Sequence, residues 1–289
     1  KSSWVKKGRT EMDDLTRVHQ VNLQMLKEID RICRKHRLNY VLDAGTLIGA
    51  VRHRGFVPWD DDADVAMTRK NFDAFLKAAP CELPPEMELV MPDEYHGGKG
   101  FYDFTPRIIY KNSSTHKKDD PEMAFYEGKI NHLWVDIFVL DNLPDSRVNA
   151  FLTKGLQAVI YGLAMGHRYR LDYEKYSFPA KLAVGVLAAA GRLIPMKWIY
   201  AVQQKLAVKD QKKKTKRLYY SNYQPDFLYV TIPKAWSMNV TELPFAGTKL
   251  MCPKEWHKVL TEVYGDYRKL PPKEKRVPGH CTEKIQIWD

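Results

Sequence analysis

Between Leu42 and Met67 the chain reads LDAGTLIGAVRHRGFVPWDDDADVAM, and this stretch limits the fold more than any other. An apolar run, Tyr40-Val41-Leu42, leads through Gly45-Thr46 into a short helical segment, and Gly55-Phe56-Val57-Pro58-Trp59 follows. Four carboxylates then fall within five residues, Asp60, Asp61, Asp62 and Asp64, directly before the apolar strand Val65-Ala66-Met67. Acids crowded in this way repel one another unless a cation or a proton relieves them. Trp59 before them and an apolar strand after them argue against a solvated loop. The relief expected is a hard divalent ion that prefers oxygen ligands, Mg²⁺ or alternatively Mn²⁺.

Alternate side chains of a strand share a face, so Asp62 and Asp64 point together, Asp60 can join them, and Asp61 points away. A third ligand is expected from another strand. His132–Leu140 reads as a central strand, apolar on both faces except for Asp136, and a lone buried carboxylate is costly unless it is paired or bound to metal. Asp136 is therefore the third candidate. A calcium loop of the EF-hand type is excluded, because its glycine position holds Val65 and its last acidic position holds Asn71. Gly45 and Thr46, at a strand-to-helix turn, offer backbone N–H groups and close approach to a phosphate. Arg52 and Arg107 are candidates to add positive charge.

The rest of the chain is read around this stretch. A polar lead over residues 1–12 precedes an amphipathic helix with Leu15, Val18, Val21, Met25, Ile29, Ile32 and Cys33 on its apolar face. Thr68 is placed to cap a helix that Pro80 stops. Short strands are expected at Glu88–Met91, Phe104–Tyr110, Tyr229–Ile232 and Thr248–Cys252, with a loop from Asn112 to Pro121 and a helix from Pro253 to Tyr264. Residues 148–208 turn helical, with breaks near Phe178-Pro179 and Pro195, before a basic run from Lys209 to Arg217. Three regions result: a core over 13–145, a helical region over 146–217 and a C-terminal segment over 218–289 that packs back on the core.

Of the 289 residues, 44% are hydrophobic and 28% charged, which excludes general disorder. A net charge of +11 and a pI near 9.3 suit an anionic membrane, a phosphate-rich substrate or nucleic acid. No aromatic-basic RNA-binding motif accompanies that charge, so nucleic acid is not expected. Cys33, Cys81, Cys252 and Cys281 are scattered and read as free thiols. No signal peptide and no apolar run long enough to span a bilayer is visible. The expected location is cytoplasmic, or peripheral at the inner face of the cell membrane.

A Gly-Ser/Thr turn, a D-x-D strand and a later carboxylate on a strand together resemble the nucleotidyltransferase fold of the DNA polymerase β type. More narrowly, GTLIGAVRHRGFVPWDDDADVAM resembles the LicD family of phosphocholine transferases, which includes the fukutin-related transferases. Thr105-Pro106-Arg107-Ile108-Ile109, Val135-Asp136-Ile137-Phe138 and Tyr264-Gly265-Asp266-Tyr267 with Leu270-Pro271-Pro272 and Arg276 extend the likeness, whereas 148–210 matches nothing recognised. Fifteen residues separate Thr46 from Asp62 and threonine replaces the commoner serine, both features of the narrower family.

The resemblance implies an α+β fold, a mixed sheet flanked by helices with an inserted or appended helical region. It also implies a reaction. A CDP-alcohol such as CDP-choline gives up its phospho-alcohol to a glycan hydroxyl, as in teichoic acid or lipopolysaccharide modification, and CMP leaves. Asp62 and Asp64 would hold the metal, while Asp136 would complete the metal site or take the acceptor's proton. Ethanolamine and polyol head groups stay open as donors. If the head group is choline, Trp59, Trp134, Tyr102 and Phe104 are candidates to face the quaternary ammonium. The acceptor would be lipid-linked or polymeric, and the helices after Val148 would dock on an anionic membrane. Rival readings are a D-x-D glycosyltransferase using a nucleotide sugar, a basic nucleotidyltransferase acting on nucleotides or nucleic acid, and a non-enzymatic membrane scaffold.

Overall fold

The amphipathic repeat that begins near Asp14 lies within a longer helix, α1 (Ser3–Lys35), in the computed structural model, which describes residues 3–117, 119–174, 176–279 and 285–288. The expected polar lead is thus helical from Ser3. It contains no proline, and a helix already nucleated by its packed half extends easily through charged residues. Val18, Val21, Met25, Ile29, Ile32 and Cys33 are buried in the main core, as the periodicity requires. Cys281 lies outside the described residues; Cys33, Cys81 and Cys252 are free thiols.

After α1 come β1 (Val41–Leu42), α2 (Ala44–His53), β2 (Ala63–Thr68), α3 (Arg69–Glu82), β3 (Met87–Val90), β4 (Arg107–Tyr110), β5 (Ser113–Ser114), α4 (Pro121–Phe125) and β6 (Leu133–Leu143). Three helices follow, α5 (Arg147–Ala164), α6 (Phe178–Gly191) and α7 (Met196–Val208). The remainder is β7 (Arg217–Tyr220), β8 (Ile232–Pro233), α8 (Lys234–Ser237), β9 (Val240–Phe245), β10 (Thr248–Pro253), α9 (Trp256–Tyr264) and β11 (Gln286–Ile287). The fold is α+β, with a mixed sheet flanked by helices.

The main sheet runs β1-β2-β6-β4-β3, with β7 also on β6 and β8 on β7. The β2–β6 pair is parallel; the other pairs in this sheet are antiparallel. β6 is its axis. Its first half pairs with β4, its second half with β7, and Asn222 fills the step between them: its side chain accepts from Val139 N–H at 2.8 Å and donates to the Ile137 carbonyl at 3.0 Å. The strand also extends three residues beyond Leu140 and carries a second acid, Asp141. That acid is fully buried and held by Arg69 at 2.6 and 3.0 Å and by the Ser221 hydroxyl at 2.6 Å. A buried charge of this kind persists only when so paired.

Several local expectations shift. Thr68 sits at the N-cap of α3 without a side-chain capping bond, and Pro80 lies inside the last turn rather than ending the helix. Of the strand expected at Tyr229–Ile232, only Ile232 is in a strand. Pro253 closes β10, and α9 begins at Trp256. β7 and β9 were not foreseen; β9 forms a hairpin with β10 around Ala246 and Gly247, both at positive φ, the geometry of a tight two-residue turn. Within the expected 112–121 loop, β5 pairs with β11.

Candidate active site

Parallel pairing of β2 with β6 sets Asp64 directly beside Asp136, and antiparallel pairing of β6 with β4 sets Asp136 directly beside Arg107. One row across three strands therefore reads Asp64, Asp136, Arg107. Arg107 is buried, and its Nε stands 2.7 Å from Asp136 Oδ1. Its two Nη atoms donate to both oxygens of buried Asp103, at 3.1 and 2.6 Å. The rings of Tyr102 and Trp134 lie 5.0 and 5.7 Å from the guanidinium. Arg107 is thus neither a solvated arginine nor an open substrate contact; it holds Asp136. Tyr102 and Trp134 face that guanidinium, and Phe104 packs with α5 and α7.

Asp62 lies just before β2, and Asp64 is buried on it. Burial is the main cause that pushes the Asp64 carboxyl well above its usual range, and the charges of Asp62, Asp136, Asp60 and Asp43 push it further. Asp43 was overlooked in the sequence. It sits at the N-cap of α2, is buried, and has its pKa raised to about 6 by that burial although the Tyr220 hydroxyl donates to it at 3.0 Å. Five carboxylates therefore share one field.

Gly45 and Thr46 both serve this cluster. A Cβ at Gly45 would run into the Asp60 carboxylate, and the Thr46 hydroxyl accepts from Asp64 N–H at 2.9 Å. The acidic loop is pinned from α1: His19 Nε2 donates to the Asp60 carbonyl at 2.6 Å, and Asn22 donates to the Asp61 carbonyl at 3.3 Å. Asp61 is buried rather than solvated, and its carboxylate accepts from Gly279 N–H at 3.1 Å.

Tyrosines from the C-terminal third close one side. Burial raises the Tyr264 hydroxyl far above its usual range, helped by Asp43, Asp64, Asp60 and Asp62, and Tyr223 is raised in the same way with Asp64 among its causes. An open pocket of about 420 Å³ lies next to them, lined by Gly45, Arg52, Trp59, Asp60, Tyr264 and Tyr267 among others. Arg52 and Arg276 both approach the Trp59 ring, at 5.9 and 5.5 Å. Burial and then the charge of Arg276 lower the Arg52 pKa, so Arg52 on the pocket wall has a second guanidinium close behind the shared Trp59 ring. Trp59 is occupied by guanidinium groups, which disfavours it as a cage for a quaternary ammonium. A larger opening of about 700 Å³ lies beside the β5–β11 pair and α4 and includes none of these acids.

Among the described residues, no three His, Cys, Asp or Glu side chains converge tightly enough to ligate an ion as they stand. The donor set nevertheless fits a hard divalent ion in kind: oxygen donors only, on adjacent strands, one of them buried among like charges.

The comparisons with known proteins bear on the same residues. Residues 37–161 match the model described as LicD/FKTN/FKRP, nucleotidyltransferase domain. The chain is 27% identical over 280 residues to the lipopolysaccharide cholinephosphotransferase LicD of Haemophilus influenzae, covering 91% of this chain and 94% of that protein. Uncharacterized proteins of Rickettsia typhi and Rickettsia prowazekii match shorter stretches, at 35% over 57 residues and 38% over 48, each less than a fifth of the relative. The domain match contains Asp43, Asp60, Asp62, Asp64, Arg107 and Asp136; Tyr220, Tyr264 and Arg276 lie beyond it.

Proposed function

We propose, for a chain that carries a nucleotidyltransferase domain of the LicD family, that it transfers a phospho-alcohol, phosphocholine first among the candidates, from a CDP-activated donor to a glycan hydroxyl and releases CMP. The observation that carries this reading is the Asp64–Asp136 register pair with Asp62 beside it, next to a pocket whose wall holds Arg52. The name of the Haemophilus influenzae relative supports phosphocholine as the group and a lipopolysaccharide-like glycan as the acceptor.

The acceptor hydroxyl oxygen attacks the donor's β-phosphorus, and its proton passes to solvent. The bond from that phosphorus to the oxygen bridging to the α-phosphate breaks, and CMP departs with the electron pair. Asp62, Asp64 and Asp136 would hold Mg²⁺ or Mn²⁺, and such an ion supplies charge neutralisation of the diphosphate and of the leaving phosphate. Pairing with Arg107 fixes the orientation of Asp136, which favours a ligand role over that of proton acceptor. Gly45, at the start of α2 and on the pocket wall, would approach a phosphate through its backbone, while Thr46 acts indirectly by holding the Asp64 backbone. Arg52 would meet the negative charge of the nucleotide phosphates.

The test is incubation with Mg²⁺ and a panel of CDP-choline, CDP-ethanolamine, CDP-polyols and nucleotide sugars, with a glycan acceptor. CMP release from a CDP-alcohol, dependent on acceptor, is the expected result. Release of a nucleoside diphosphate from a nucleotide sugar instead would replace this reading with a glycosyltransferase.

A further inference from the structure

Helices α5, α6 and α7 leave an unusual amount of apolar side chain in solvent. On α5 the exposed residues are Val148, Phe151, Leu152, Leu156 and Val159, spaced as one helical stripe, with Phe151 76% exposed. On α6 they are Phe178, Leu182 and Val186, continuing to Leu193 and Ile194 at the corner before α7; Phe178 is 82% and Leu193 86% exposed. Trp198 and Val202 carry the pattern along α7. Isolated exposed apolar residues are ordinary, but three packed helices that each present a stripe mark an interaction surface.

The charges on these helices choose the partner. From Phe178 to Lys209 the ionisable residues other than tyrosine are Lys181, Arg192, Lys197, Lys205 and Lys209, with no Asp or Glu, and Lys212, Lys213 and Lys214 follow. Arg192 and Lys197 flank exposed Leu193 and Ile194, and the Lys197 ammonium lies 5.9 Å from the Trp198 ring. Apolar stripes on helices whose own charged side chains are all basic, with a tryptophan at the edge, match an anionic lipid surface, the exposed acids Asp172 and Glu174 standing in the loop before α6. A second copy of the same face would bring like charge against like charge.

Depth is set by shape. No single helix among the described residues is long and apolar enough to cross a bilayer; α6 and α7 together are apolar enough, but they bend by 114° between them. The seam between α5 and α6 is closed by small residues: a Cβ on Gly162 would strike Leu187, one on Gly166 the Ala188 carbonyl, and one on Gly191 the Leu163 carbonyl. Close backbone contact holds the pair together without needing the large apolar side chains, which are left facing outward. We infer that α5–α7 form a monotopic docking surface that lies shallowly in the anionic face of a lipid membrane. This inference stands apart from the transfer reaction and needs neither donor nor metal.

It is tested by pelleting the whole chain with vesicles of phosphatidylcholine alone and of phosphatidylcholine mixed with phosphatidylglycerol, at low and at physiological salt, without nucleotide or Mg²⁺. The expected result is binding to the anionic vesicles. Leu193→Asp with Trp198→Asp should lower partitioning by at least about tenfold at unchanged melting temperature, since both side chains are exposed. Lys197→Glu with Lys205→Glu should remove the preference for anionic lipid. Absence of pelleting at low salt, or unchanged pelleting of the Leu193→Asp/Trp198→Asp protein, overturns the inference. So does a dimer by light scattering that Leu193→Asp dissolves, because the face would then belong to a second copy. A chain that binds vesicles yet transfers nothing from any CDP-alcohol would refute the proposed reaction alone.

Discussion

Arg107 holds Asp136 at 2.7 Å from β4, the strand on the opposite side of β6 from Asp64. The same guanidinium clamps Asp103 with two bonds, so one buried cation serves the buried carboxylate of Asp103 and the partly buried one of Asp136. Removing it would strand both. Arg107→Met should destabilise the fold by about 3–5 kcal/mol, the range for breaking one side of a buried ion pair. Arg107→Lys should retain part of the stability but lose the fork that orients both acids. Chemical denaturation beside CMP-release kinetics would separate the two effects; an Arg107→Met protein as stable as wild type would show that the row of charges is not held as described.

Asp64 should behave oppositely. It is buried among four other carboxylates, so Asp64→Asn removes repulsion and is expected to raise the melting temperature of metal-free protein. Turnover should fall by about 10³-fold or more, because several kcal/mol of charge stabilisation are at stake and each 1.36 kcal/mol is tenfold. Mg²⁺ should stabilise the wild type, by about 2.7 kcal/mol at a hundred times its dissociation constant, and stabilise Asp64→Asn far less. Calorimetry with and without Mg²⁺ tests this. Equal stabilisation of both proteins would place the ion elsewhere.

Arg276, outside the matched domain, shares the Trp59 ring with Arg52. Two guanidinium groups on one ring, Arg52 among those lining the pocket, gain most when an anion lies between or beside them. Arg276→Met is expected to weaken CDP and CMP binding by about tenfold, in line with the loss of one hydrogen bond to a charged group, and to raise KM more than it lowers kcat. Titration calorimetry with CDP, CMP and cytidine is the check, cytidine being unaffected by the substitution.

The thiols give a probe of the fold. Burial pushes the Cys33 and Cys252 thiols up to about 12, whereas Cys81 is exposed. A thiol reagent at neutral pH should therefore modify Cys81 rapidly and leave Cys33 and Cys252 untouched until unfolding. Peptide mapping by mass spectrometry distinguishes them, and early labelling of Cys33 would mean that α1 is not packed as described.

Lys154 lies half-buried on α5 and donates to the Tyr229 carbonyl at 2.8 Å and the Thr231 hydroxyl at 2.6 Å. Burial, and then Arg217, lowers its pKa to about 8. The folded state therefore binds fewer protons than the unfolded state between about pH 8 and the ordinary lysine value, and this group's contribution to stability rises with pH across that window. Below pH 8 the penalty of charging it in place is fully present. Lys154→Met should flatten that part of the stability–pH curve; an unchanged slope would remove Lys154 as its cause.

How far the sequence revealed this arrangement depended on the range of the signal. That Asp62 and Asp64 share one acidic neighbourhood could be read from their spacing, which is local, although Asp62 precedes β2 rather than lying on it. That Asp136 stands directly beside Asp64 depends on parallel register between strands some seventy residues apart, and neither strand specifies it alone. Arg107 was legible as a charge but not as a clamp, because Asp103, its bidentate partner, lies in an irregular segment without periodicity. Asp43 was missed because a polar residue after a short apolar run looks like a strand end; its burial comes from Tyr220, on a strand that short apolar runs did not single out. The exposed stripes of α5–α7 were hidden for a different reason. Helical periodicity identifies an apolar face but not which face the fold then covers.

Tyr220 and Tyr264 also impose an order in time. During synthesis the acids at 43, 60, 62, 64 and 136 leave the ribosome long before the tyrosines that close over them. N-terminal regions fold first as a chain emerges. The carboxylate cluster of a half-made chain is therefore open to water on the side that Tyr220 and Tyr264 later cover, and its mutual repulsion is relieved by solvent until the last third arrives.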